Sequence, residues 1–310
     1  MLSRLAESLY WVGRYIERAE DTARILDVNY HLVREGPSVD EDAVWARLID
    51  VMGARSRAEG LAPTAAMTSN LLAYDAGYPS SIVGAFGAAR ENARGAREAI
   101  SGQMWECLNA TFFVLEDFLH APEGAGPHAF FGYVKERCAI LHGLADSTMS
   151  HDDGWRFLVL GRNLERVDMT ARLLSARLAE GVEATGWVNT LRCCSAHEAY
   201  LRAYQRAVDA SLVVEFLLLD RLFPRSVYRA LCQAEECVAQ LSPAMGRSGV
   251  DDEARRILGR ARTDLEFRRA HDLLVDLPEH LADIQSACSA AHAAISDRYF
   301  RHTRQVEWSA

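Results

Sequence analysis

Apolar residues recur along this chain at helical spacing almost throughout. At about 100° per residue, Leu5, Leu9, Val12, Ile16, Ala19, Ala23 and Leu26 fall on one stripe of a single helix. Glu7, Tyr10, Arg14, Glu17, Asp21 and Arg24 gather on another side. This predicts a long amphipathic helix from about Leu2 to His31, with Gly36-Pro37-Ser38 at or just beyond its end.

The same period predicts helices near 41–53, 63–74, 79–100, 103–120 and 128–149. In the second half it predicts them near 152–180, 186–205, 207–220, 224–241, 251–274 and 278–300. Pro63, Pro79, Pro224 and Pro278 suit first-turn positions, where a missing N–H costs nothing. Gly124-Ala-Gly-Pro127 and the stretch from Ser242-Pro243 to Gly249 read as loops. Asp152-Asp153 and Asp251-Asp252 read as helix N-termini, where acids favour the dipole. Period-two alternation is scarce, so the expected fold is all-α with essentially no sheet.

A repeat organises the helices. Gly13-Arg-Tyr-Ile-Glu17-Arg-Ala-Glu20-Asp-Thr-Ala-Arg24-Ile-Leu26 returns as Gly161-Arg-Asn-Leu-Glu165-Arg-Val-Asp168-Met-Thr-Ala-Arg172-Leu-Leu174. A second pair follows in the same order at nearly the same offset. Asp75-Ala-Gly-Tyr-Pro79-Ser-Ser-Ile82 matches Asp220-Arg-Leu-Phe-Pro224-Arg-Ser-Val227. The expectation is an internally duplicated helical bundle. Residues 1–150 and 151–310 would form two pseudo-symmetric halves of about six helices each, packed as one unit.

The repeated charges admit three readings. Spacings of three (Arg14 to Glu17, Arg162 to Glu165) and four (Glu20 to Arg24, Asp168 to Arg172) put partners on one face. The first reading is a solvated face carrying surface pairs. The second is a buried network in which the two motif helices face each other, Arg14 bridging Glu165 and Arg162 bridging Glu17, with Gly13 and Gly161 allowing close approach. The third is a polar cleft. There Glu17 and Glu165 are candidate catalytic bases, and Arg14, Arg24, Arg162, Arg172 and Arg94 are candidate anion-binding groups. Arg94 belongs to a further cluster, Arg90, Glu91, Arg94, Arg97 and Glu98, that reads equally as an anion stripe or an exposed paired face.

Composition narrows the classes. A net charge of −9 and 49% apolar residues describe an ordinary acidic globular chain and argue against a duplex-binding protein. Seven cysteines, none in a Cys-x-x-Cys pair, read as reduced thiols of a cytoplasmic protein. Arg4, Glu7, Arg14 and Glu17 interrupt any signal-peptide core, and Glu215 interrupts the most apolar run, so no membrane span is expected. No Glu-x-x-His, His-Glu-x-x-His, Asp-Asp-x-x-Asp, P-loop or Gly-x-Ser-x-Gly motif is present. Spacing along the chain therefore yields no metal-ligand set and no cofactor.

Several stretches resemble the bacterial alpha-E family. They are Leu2-Ser-Arg-Leu-Ala-Glu7 through Glu17-Arg-Ala-Glu20, Ala89-Arg-Glu-Asn-Ala-Arg94 through Met104-Trp105-Glu106-Cys-Leu-Asn109, Gly161-Arg-Asn-Leu-Glu-Arg166 and the closing Asp297-Arg-Tyr-Phe300. The chain departs from the resemblance at Tyr78, where Asn is expected before the proline. The resemblance implies an all-helical protein named for its glutamates. It also implies the company of an ATP-grasp-type ligase and a transglutaminase-like protease, hence work on peptides or amide bonds. The chain would then be an accessory or substrate-binding partner of the ligase. The alternatives are an enzyme with Glu17 or Glu165 as general base, and a scaffold with a structural Arg/Glu network.

Overall fold

The computed structural model describes residues 1–35, 40–120, 126–179, 184–243 and 249–300. The Gly36-Pro37-Ser38 break, most of the second predicted loop and the tail after Phe300 lie outside them. So do Gly124 and Ala125, whereas Gly126 and Pro127 of the first predicted loop already belong to a helix.

Among the described residues there are fourteen α-helices and no strand. In the first half they are α1 (Ser3–Glu35), α2 (Glu41–Val51), α3 (Ala65–Ser69), α4 (Ile82–Gly95), α5 (Gly102–His120) and α6 (Gly126–Thr148). The second half contains α7 (Asp153–Ala179), α8 (Ala184–Cys193), α9 (His197–Tyr204), α10 (Ala210–Leu219), α11 (Val227–Leu241), α12 (Glu253–Phe267), α13 (Ala270–Val275) and α14 (Leu277–Ile295). The fold is all-α, as its periodicity predicts.

Three predicted helices are broken: the 79–100 segment ends its α-helix at Gly95 and turns at Ala96 into a 3-10 turn, Arg97–Ala99. The 186–205 segment divides at Cys194–Ala196, where Ser195 adopts a positive φ of 53°. The 251–274 segment divides at Arg268–Arg269, whose backbones are extended. Three of the four prolines also sit outside the helices. Only Pro278 occupies a first-turn position. Pro63 precedes the N-cap Thr64, and Pro79 and Pro224 lie two residues before the N-caps Ser81 and Ser226. A serine hydroxyl that accepts from the Gly84 or Arg229 amide satisfies a first-turn donor, so the cap and not the proline starts each helix. Asp152 and Asp252 cap α7 and α12 as the sequence suggests.

The core centres on α1 crossing α7. Around that pair, α1 packs on α4 and α6, while α7 packs on α11 and α14. The predicted stripe from Leu5 to Leu26 is wholly buried. Much of the opposite side is enclosed too: Tyr10 and Glu17 are fully buried and Asp21 nearly so, while Glu7, Arg14 and Arg24 are partly buried. A central helix contacts neighbours all round, so its charged face meets other helices and not water.

Two glycines set the closeness of the crossing. A Cβ on Gly13 would stand 2.0 Å from the Leu158 carbonyl oxygen. One on Gly161 would stand 2.1 Å from the Tyr10 carbonyl oxygen. Each helix thus lays backbone directly on the other's glycine, and no side chain fits between them.

Candidate functional site

The close crossing brings the repeated charges face to face. Arg14 donates from Nε to Glu165 Oε2 at 2.6 Å, and Arg18 donates from Nε to Glu165 Oε1 at 2.6 Å and from Nη2 to Oε2 at 3.1 Å. In the reverse direction Arg166 Nε donates to Glu17 Oε1 at 2.6 Å. The pairs Arg18–Glu165 and Arg166–Glu17 are the same contact with the helices exchanged.

One expected bridge is not made. Arg162 does not reach Glu17 but turns to Asp146 at 3.4 Å. Its place is taken by Arg225, from the turn before α11, which donates to Glu17 Oε1 at 2.5 Å, Glu20 Oε1 at 2.7 Å and Asp21 Oδ1 at 2.8 Å. Arg225 occupies the position that Ser80 holds in the first copy of the Asp–Pro–Ser turn. Both turns are built alike: Ser81 donates to the Asp75 carbonyl at 2.6 Å, and Ser226 to the Asp220 carbonyl at 2.5 Å.

Arg24 pairs with Glu20 one turn away and lies 3.7 Å from Asp21. Arg172 pairs with Asp168 at 2.9 Å and borders an open surface cavity of about 530 Å³ with Arg47, Asp50 and Gln285. Arg94 is 67% exposed and pairs with Glu91 at 2.5 Å, so it belongs to the solvated face and not to the motif cluster. Arg90, beside it, donates to Asn109 at 2.7 Å and lies over the Phe112 and Phe113 rings.

Electrostatics follow from enclosure. Burial alone would raise the Glu165 carboxyl, but Arg14 and Arg18 outweigh it and hold the group down at about 2. Burial likewise opposes ionisation of Glu17, and Arg166 and Arg225 overcome it. Asp21 goes the other way: burial and the neighbouring Glu17 outweigh Arg225 and raise it to about 7. A general base needs an affinity for protons near the working pH. Glu17 and Glu165 are held as carboxylates by the arginines around them.

A histidine that sequence reasoning passed over completes the cluster. His142 of α6 places Nε2 3.5 Å from Glu17 Oε2 and Nδ1 3.6 Å from Glu20 Oε2. Both of those carboxylate oxygens are buried without a hydrogen-bond partner. Burial lowers His142 to about 4, against the pull of Glu17 and Glu20, so at neutral pH it is an uncharged imidazole. The signal was present: Cys138-Ala-Ile-Leu-His142 on α6 is echoed by Cys288-Ser-Ala-Ala-His292 on α14. His292 serves the other side of the crossing through Tyr10, whose hydroxyl lies 2.9 Å from His292 Nδ1 and accepts from Arg14 at 3.2 Å.

The fold and this crossed Arg/Glu centre define a helical-bundle protein organised by paired Glu-Arg dipeptides, Glu17-Arg18 and Glu165-Arg166. The chain belongs to the Alpha-E family, a predicted alpha-helical domain with a conserved ER motif, which it matches over residues 1–300. It is similar to uncharacterized proteins of Mycobacterium tuberculosis and Mycobacterium bovis, at 28% identity over 316 aligned residues. That alignment covers 92% of this chain but 35% of each relative, so the chain spans about a third of the length of the curated relatives it matches. No solved structure matches it significantly.

Proposed function

We propose that this chain is a non-catalytic helical partner module, and that its ER motifs lock α1 to α7 and take no part in chemistry. The observation that carries this reading is the saturation of Glu165. Both of its oxygens are taken by Arg14 and Arg18 in a place where the carboxylate is only 3% exposed. A substrate carboxylate would have to displace a buried ion pair, and breaking one costs about 3–5 kcal/mol.

The family resemblance points to an ATP-grasp-type ligase acting on peptides or amide bonds as the partner, with a transglutaminase-like protease as a second associate. The relatives, in which a matching segment makes up about a third of a longer chain, are consistent with a module that works joined to other parts. No described helix is long and apolar enough to cross a membrane, and reduced thiols fit a cytoplasmic setting. For a carboxylate-bearing ligand, the open groove on α12 suits better than the ER motif. Arg255, Arg256, Arg260, Arg262 and Arg268 line its cavity of about 830 Å³ beside Glu235 and Asp264, and Arg256, Arg262 and Arg268 pair with Glu253, Glu235 and Asp264. Among the described residues Arg260 has no acidic partner.

The test is co-purification with such a ligase and measurement of its amide-forming rate with and without this chain. A rate gain that survives Glu165→Gln but is lost in Arg256→Glu/Arg260→Glu is expected. An unchanged ligase rate sinks the accessory role. Turnover by this chain alone, abolished in Glu17→Gln or Glu165→Gln with the fold intact, would make it an enzyme instead.

A further inference from the structure

A second side-chain cluster lies on the surface where α1 and α6 meet, away from the ER crossing. Asp27 and His31 are one turn apart on α1, and His128 stands in the first turn of α6. His128 Nδ1 is 2.6 Å from Asp27 Oδ1 and 3.3 Å from His31 Nε2, and His31 Nε2 is 3.8 Å from Asp27 Oδ1. We propose that Asp27, His31 and His128 bind a divalent transition-metal ion of the zinc class, with the fourth coordination position on the solvent side.

The three distances supply the argument. A point equidistant from the three atoms, in their plane, is about 1.9 Å from each, and zinc lies roughly 2.0–2.1 Å from imidazole nitrogen and carboxylate oxygen. An ion displaced slightly from the plane therefore reaches all three at ordinary bond lengths without moving a helix. Hydrogen bonding serves the same triangle less well. His128 Nδ1 faces both the carboxylate and the second imidazole, and one proton on that nitrogen can be directed well at only one of them. A cation attracts all three lone pairs at once.

The surroundings fit. Asp27 is buried, and its second oxygen, Oδ2, accepts from Lys135 Nζ at 2.6 Å, which turns Oδ1 toward the histidines. Metal-binding carboxylates are commonly fixed by such an outer hydrogen bond. His31 and His128 are 50% and 69% exposed, leaving an entry path and an open side. Three protein ligands with one open position is the arrangement of an accessible zinc centre and not of a closed structural one. The contrast with the Glu17–Glu20–His142 cluster is instructive. There the imidazole offers a different nitrogen to each carboxylate, and the cluster is enclosed, with His142 only 14% exposed, so no entry path leads to it. An ion between α1 and α6 would pin the start of α6 to α1, so binding should also stabilise the fold by mass action.

The experiment uses the full chain stripped with chelator, then titrated with Zn²⁺ and separately with Co²⁺. The expected result is one ion per chain, a tetrahedral Co²⁺ visible spectrum without a thiolate charge-transfer band, and a Tm that rises with Zn²⁺. His31→Ala and His128→Ala should each weaken binding about tenfold or more, with unchanged circular dichroism, because both rings are half or more exposed. Absence of saturable one-to-one binding overturns the proposal. So does wild-type affinity in the His31→Ala/His128→Ala double variant, or a thiolate band, which would move the ion to a cysteine.

Discussion

Glu17 and Glu165 hold equivalent positions in the two motif copies, yet they are handled differently. Glu165 receives two arginines, Arg14 and Arg18, both from the facing helix, and both its oxygens are satisfied. Glu17 receives one arginine from the facing helix, Arg166, and a second, Arg225, from a turn. Its Oε2 is left to a neutral histidine at 3.5 Å. The difference traces to two paired changes. Arg225 stands where the first copy has Ser80, and Asp21 stands where the second copy has Met169. An extra cation and an extra acid thus meet on one side of the crossing. A buried charge is tolerated only when compensated, so the two changes offset each other.

The glycines are the symmetric reference for that comparison. Gly13→Ala and Gly161→Ala each drive a Cβ into a backbone carbonyl that cannot step aside. Each should cost about 3 kcal/mol, the upper part of the usual range for overpacking. Together they should cost less than the sum, because both act by forcing apart the same crossing, yet still a large share of a domain's typical 5–15 kcal/mol. Urea denaturation measures both, and markedly unequal costs would show that the crossing is less symmetric than its contacts.

The glutamates should separate next. Glu165→Gln leaves Arg14 and Arg18 facing a neutral amide and should cost about 3–5 kcal/mol. Glu17→Gln leaves one arginine, Arg166, facing a neutral amide while Arg225 keeps Glu20 and Asp21, so it should cost less than Glu165→Gln, about 1–3 kcal/mol. The reverse order in denaturation midpoints would break the comparison.

The pH profile divides the two sides by sign. Glu165 is held at about 2 against an ordinary 4.5. Its contribution is present above pH 4.5 and is lost as pH falls through 2. At about 1.4 kcal/mol per tenfold change, that amounts to roughly 3 kcal/mol. Asp21, raised to about 7, works in the opposite sense: its share is present below pH 3.8 and lost as pH rises through 7. Stability measured between pH 2 and 8 should therefore show a shallower acid limb in Glu165→Gln, with Glu17 and Glu20 supplying the rest, while Asp21→Asn should flatten the neutral limb. The smallest effect belongs to Arg94→Ala. Its exposed pair with Glu91 is worth about 0.5 kcal/mol or less, so its melting curve should overlay the wild type.

The helical class was legible because long runs such as Leu5 to Leu26 carry one unbroken period. The Arg14–Glu165 bridge was legible because similar charged runs, both opening Gly-Arg and carrying Glu-Arg three residues on, recur along the chain. Arg162 misled because its repeat position is symmetric but its neighbourhood is not: Asp146 and Arg225 come from other elements. The partners of His142 and His128 were invisible for a related reason. Each histidine lies more than a hundred residues from the α1 acids it faces, and no spacing rule along the chain connects them.

By itself, then, the sequence determined the helices and the identity of the charges that had to be buried together, since periodicity and composition are local properties. Tertiary structure alone decided which arginine answers which carboxylate. It also enclosed the ER centre and brought Asp27, His31 and His128 to one point. Those outcomes depend on how α6, α7 and the turn before α11 pack around α1, and packing over such distances has no signature in neighbouring residues.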